Sequence, residues 1–178
     1  MHQLSRAPLF CAPLFHAALI ALALTACAPP KAPSAPVAYR ASGAPIWSNA
    51  QLDQGRLVGR WQQSAGFAPP GSSCAPGGAD IGGQAGALTI SARLCLSGQA
   101  VQLAGPMPAI GPGRFVVDGQ AWWVIWVDTD YRTLAIATPS GAFGFILNRG
   151  GGLSADRLTA AREIFDFNGY DTRLLQVY

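Results

Sequence analysis

The sequence is short of the groups that do chemistry near neutral pH. Only 12% of its 178 residues are charged, and it holds two histidines (His2 and His16), one lysine (Lys31) and one glutamate (Glu163). General acid–base catalysis needs a group that titrates close to the working pH, so this inventory argues against an enzyme. A formal net charge of +3 without a basic stripe argues against a nucleic-acid partner. The glycines at 77–78, 82–83 and 86 lack the Lys-Ser/Thr of a phosphate loop and read as loop or bend residues. No cofactor is implied.

The N-terminal stretch does not belong to the fold. His2 and Arg6 precede an apolar run ending Ala17-Ala18-Leu19-Ile20-Ala21-Leu22-Ala23-Leu24, then small residues. That is the make-up of a secretory signal, and the run is too short for a transmembrane helix of about 20 apolar residues. Leu24-Thr25-Ala26-Cys27 resembles the lipobox of bacterial lipoproteins. The resemblance implies cleavage before Cys27 and acylation of that residue, and several acyl chains make a stable anchor where one does not. Ala28, where those lipoproteins carry Asp for inner-membrane retention, points to the outer membrane facing the periplasm. Both histidines leave with the signal (1–26). No transition-metal centre can then be built from what remains, so metal binding is not expected.

Residues 27–45 comprise the acylated Cys and a Pro/Ala-rich tether. Such a segment cannot bury enough apolar surface to fold, and in extended form it spans roughly 50 Å. The remaining 46–178 suffice for one domain with a single core. In its first half Gly, Pro and Ala blur the pattern between Ala68 and Gly113, although Ala87 to Leu96 alternates as a strand should. From Arg114 onward the reading is clear. Arg114–Val117 and Ala121–Val127 flank Asp118-Gly119, a turn pair that matches strand twist. Tyr131–Thr138 and Phe143–Asn148 flank Pro139-Ser140-Gly141. Ser154 then caps a helical period in which Leu158, Ala161, Ile164 and Phe165 form one apolar stripe, ended by Asn168-Gly169. Leu174–Val177 is a final edge strand.

Three residue groups in this order resemble the lipocalins, most closely the lipid-anchored bacterial ones. They are Gly59-Arg60-Trp61, then Asp128-Thr129-Asp130-Tyr131, then Ile146-Leu147-Asn148-Arg149, followed by the helix and last strand. The resemblance implies an all-β fold: an eight-stranded antiparallel up-and-down barrel with one C-terminal α-helix and a short final strand. It implies that Gly59, Trp61, Asp128, Asp130, Tyr131 and Arg149 are structural, with Trp61 plugging one end and Arg149 lying across it. Asp128 and Asp130 could also be read as a calcium or acid/base pair, but the family pattern already places them in a strand connection. Gln62-Gln63 departs from the aromatic and acid usual after the Trp, which implies a more polar or narrower cavity near the first strand.

Alignment on Asp128 and Tyr131 sends Trp122, Val124 and Trp126 inward, with Phe143 and Phe145 on the last barrel strand. These five are the expected cavity lining, suited to a fatty acid, lysophospholipid or similar apolar ligand. The same rings could instead meet and fill the interior. Cys74 and Cys95, the thiols left after Cys27 is acylated, are expected to pair as a structural disulfide in an oxidising periplasm, since they lack Cys-x-x-Cys character. Two functions stay open. One is a membrane-anchored carrier of a small hydrophobic ligand. The other is a barrel that acts through a protein partner, as do the similar periplasmic inhibitors of secreted proteases. Oligomeric state is not legible.

Overall fold

The structure is a computed structural model that describes residues 37–178. The signal, Cys27 and most of the tether lie outside the described residues. Ten strands and one helix follow in chain order. They are β1 (Gly59–Phe67), β2 (Gly78–Gln84), β3 (Ala87–Leu96), β4 (Gln99–Pro106), β5 (Ala109–Gly111), β6 (Arg114–Val117), β7 (Gln120–Val127), β8 (Thr133–Ala137), β9 (Gly144–Asn148), α1 (Ala155–Phe167) and β10 (Leu175–Val177). All strand pairs are antiparallel, in the order β4-β3-β2-β1-β9-β8-β7-β6-β5, with β10 on β1. The all-β curled sheet with one C-terminal helix and a last strand is the architecture expected.

The two ends of that sheet are successive limbs of one strand. Met107 donates its N–H to Leu88 O on β3 at 2.8 Å, while Pro108 O accepts from Val116 N on the other side at 3.1 Å. Pro106 and Pro108 have no N–H to give a ladder, so the chain bends between them and changes partner. Taking β4 and β5 as one bent strand gives eight strands round the sheet.

The sheet has two buried faces. Inside lie Trp61, Ile81, Leu88, Ile90, Leu94, Phe115, Trp122, Val124, Leu134, Ile136, Phe145 and Leu147. Outside, α1 covers Ala65, Ile125, Ala135, Ala137 and Ile146 with Ala161 and Phe165. The small residues of β8 let the helix come close, and both Ala161 and Phe165 are fully buried. Gly144 serves the same contact: a Cβ there would sit 3.0 Å from the rings of Phe165 and Phe67. Ser154 is the N-cap and Asn168 the C-cap, with Gly169 at φ +80° leaving the helix. Asp118 (φ +47°) and Gly119 (φ +72°) make the tight turn between β6 and β7.

The folded part begins earlier than the sequence pattern indicates. Tyr39 is buried, donates N–H to Gly141 O at 2.8 Å, accepts from Asp171 N at 2.8 Å and bonds Ser97 Oγ through its hydroxyl at 2.7 Å. Arg40 forms a β-bridge with Tyr170. Hence the tether expected to reach residue 45 gives way to packed chain by about Tyr39. A composition rich in Ala and Pro hid one aromatic anchor. Among the described residues, no helix is long and apolar enough to cross a membrane.

Candidate functional site

The closed end of the sheet is built from the expected motif residues. Trp61 donates its indole N–H to Leu57 O at 2.8 Å, and the Arg149 guanidinium stands 4.0 Å over its ring. Arg149 also donates to Tyr131 O at 2.7 Å, Val58 O at 2.9 Å and Arg56 O at 2.5 Å. One side chain thus ties the chain before β1 to the β7–β8 connection. A Cβ at Gly59 would lie 3.2 Å from the same guanidinium, at a φ of +124°, which explains the glycine. Burial, with the charge of Arg56 nearby, lowers the Arg149 pKa from its ordinary value. Asp128 accepts from Arg132 N and Thr133 N at 2.7 and 2.6 Å, so it is a turn residue. Among the described residues, Asp130 has no such hydrogen bond and no group of three metal-ligating side chains occurs. A second stack went unforeseen. Arg56 lies 4.0 Å over the Tyr131 ring, whose hydroxyl accepts from Asp53 N at 2.7 Å.

Above this floor the interior is apolar and full. Trp122, Val124, Phe143 and Phe145 all belong to the inner cluster. Trp122 meets Phe145 at 5.1 Å and Phe143 at 6.0 Å between ring centroids, edge to face. Phe145 has no accessible surface, Trp122 and Val124 keep 1% each, and Phe143 keeps 7%. Side chains beside a water-sized void would retain more, so the rings occupy the space themselves.

Trp126 does not join them. The β7–β8 ladder pairs Val124 with Ile136 but Trp126 with Ala135, so one extra residue, Ile125, is inserted. A bulge of this kind reverses the alternation beyond it. Trp126 therefore packs in the outer cluster, and Val127 takes the inner side. Of the more polar or narrower cavity expected near Gln62-Gln63, Gln63 supplies no polar wall. Gln63 is buried, and its carboxamide bonds both Cys95 N and Cys95 O at 2.7 Å. It stands in for backbone where β2 has ended and β1 faces β3 directly. Beside it Cys74 and Cys95 form the expected disulfide, pinning the β1–β2 connection to β3.

The mouth lies at the opposite end, among the β1–β2, β3–β4, β6–β7 and β8–β9 connections. Tyr170 fastens the last of these, accepting from Thr138 N at 3.0 Å while its hydroxyl faces Thr138 O and Phe143 O at 2.8 and 2.9 Å. Burial, ahead of the opposing hydrogen bond to Thr138, pushes its pKa up to about 12. The wall also has a seam. Where β4 separates from β6, a cleft of about 250 Å³ opens between Leu103–Pro106 and Val116–Gly119.

Residues 113–178 match a family described as the lipocalin-like domain. The fold is lipocalin-like, and the family match covers its second half, from the start of β6 to the C-terminal strand. Solved structures agree on the fold. The siderocalin Ex-FABP, described as functioning through dual ligand specificities, is 14% identical with a TM-score of 0.53, over 68% of this chain and 93% of its own. Apocrustacyanin C2 is 16% identical with a TM-score of 0.52, over 70% of this chain and 78% of its own. Lobster apocrustacyanin A1 is 13% identical with a TM-score of 0.52, over 83% and 92%. No curated protein matches by sequence.

Proposed function

We propose that this lipocalin-like domain binds a small hydrophobic ligand, a fatty acid or lysophospholipid, while tethered through acylated Cys27 to the outer membrane on its periplasmic side. The observation that carries the reading is the inner wall itself. Trp122, Val124, Phe143 and Phe145 form one apolar cluster below the mouth of a fold shared with a siderocalin described as functioning through dual ligand specificities. Phe143 lies just before β9 in the loop fastened by Tyr170, and it is the most exposed of the four. A ligand enters by turning that ring aside, which favours a single acyl chain over a bulky ring system. The lipobox-like Leu24-Thr25-Ala26-Cys27 supports the anchor.

Native mass spectrometry of the Cys27→Ser chain purified from a periplasm tests the binding reading. The expected result is a discrete added mass released on unfolding, together with a tryptophan fluorescence change on titration with lysophospholipid. A bare protein with unchanged fluorescence sinks it. The filled interior favours a second reading in that case, a barrel whose partner is another protein. Radioactive palmitate should label the wild-type chain and not Cys27→Ser; equal labelling would refute the anchor.

A further inference from the structure

We propose that this protein forms a two-fold symmetric dimer by pairing β4 with β4 of a second copy. The proposal is independent of the ligand. It starts from the unpaired edge of β4, a strand bonded only to β3.

The direction of each backbone group follows from the turn. Ser97 (φ +53°) and Gly98 (φ +77°) form a two-residue hairpin loop, so Leu96 and Gln99 are the bonded pair that closes it. Alternate pairs then exchange bonds, and the 2.8 Å bond from Met107 N to Leu88 O falls in phase. Gln99, Val101, Leu103 and Gly105 therefore bond to β3. Ala100, Gln102 and Ala104 turn their N–H and C=O groups away from it, and among the described residues these groups have no partner.

No strand of the same chain lies beside them. Ala109 pairs with Phe115 and Pro108 O with Val116 N, so the turn at Asp118-Gly119 stands level with Gly105-Pro106. Residues 99–102 run on past that turn towards the mouth, while Leu103 and Ala104 line the cleft that separates β4 from it. They also lack every usual guard of a free edge. Gln-Ala-Val-Gln-Leu-Ala-Gly-Pro has no charged residue, and its one proline sits at the far end.

The occupant follows from the order of residues. Ala100-Val101-Gln102-Leu103-Ala104 reads alike in both directions by size and polarity. Laid antiparallel on itself about an axis at Gln102, it sets Ala100 against Ala104 on the outer face. On the inner face it sets Val101 against Leu103, and Gln102 meets Gln102. Each outward N–H and C=O then has a partner, in the self-complementary manner of a two-fold contact. The Asp118-Gly119 turns stand across the cleft from the ends of the paired strands, so the pairing is confined to Ala100–Ala104.

Sedimentation equilibrium of the Cys27→Ser chain should show a concentration-dependent dimer. Gln102→Pro removes an outward donor and leaves the β3 ladder intact, so it should weaken dimerisation at least about tenfold with an unchanged circular dichroism spectrum. Register is tested separately by oxidation. Gln102→Cys should cross-link two copies, since bonded antiparallel partners have Cα atoms about 5.5 Å apart. Ala100→Cys should not, because its symmetry mate lies four positions away. A monomer at every soluble concentration overturns the proposal. So does a dimer that Gln102→Pro leaves intact, or equal cross-linking at both positions. If Gln102→Pro fails to fold, the paired cysteine variants decide alone.

Discussion

The closed end and the mouth of this sheet are held by different physics. At the closed end a few side chains do the joining. Arg149 and Arg56 lie on the faces of Trp61 and Tyr131, and the spare N–H groups of Arg149 satisfy carbonyls from two distant segments. At the mouth the joins are a covalent bridge, a glutamine acting as backbone, and the two ends of the folded chain meeting through Tyr39 and Asp171. The first end cannot loosen without exposing a core tryptophan. The second can shift one loop at a time, which is what a mouth requires.

Substitutions can break this contrast. Trp61→Ala, at the floor, should lower unfolding free energy by about 3–5 kcal/mol in a urea titration, because a fully buried ring leaves a hole that the rigid floor cannot refill. A loss below about 1 kcal/mol would show that the floor is as pliable as the mouth. Removing the bridge with Cys74→Ser and Cys95→Ser should cost roughly 3 kcal/mol for a loop of this size. Hydrogen exchange should rise in the β1–β2 connection and not around Arg149; a uniform rise would mean the two ends are one cooperative unit.

The smallest effect depends on pH. Tyr170 is held neutral, with its pKa pushed up to about 12 from 10.0. A raised value means that the protonated form is favoured in the folded state. The stabilisation is complete below about pH 10 and is lost as pH climbs towards 12. It amounts to at most about 3 kcal/mol. Urea titrations across that window should show the decline in the wild type and a shallower one in Tyr170→Phe. Parallel slopes would remove Tyr170 from the explanation.

Much of this was legible in the sequence where one residue fixes one geometry. Asp118-Gly119 could form only a tight turn, and the stripe Leu158, Ala161, Ile164, Phe165 could only dock on a neighbour. At the floor, Arg149 lies over the Trp61 ring. Strand parity beyond Ile125 was not legible. Trp122, Val124 and Trp126 alternate without interruption, and nothing in that string marks the inserted residue that turns Trp126 to the helix side. The role of Gln63 was not legible for a related reason. A buried amide looks like a polar wall until the strand it replaces is seen to end. The bend at Pro106-Met107-Pro108 lay in a Gly- and Pro-rich stretch whose composition allows a loop as readily as a cornered strand.

The place of β1 has a consequence for the timing of folding. It is the first strand to be made, yet it pairs with β9 and with β10, which holds nearly the last residues of the chain. Those contacts span most of the domain in sequence, and such long-range closure is slow to form. The sheet cannot curl shut until β9 and β10 have joined β1. Until then Trp61 has no floor to plug and β1 stays an open edge. A chain with this wiring can zip its local hairpins early, yet its barrel closes only as a last, long-range step.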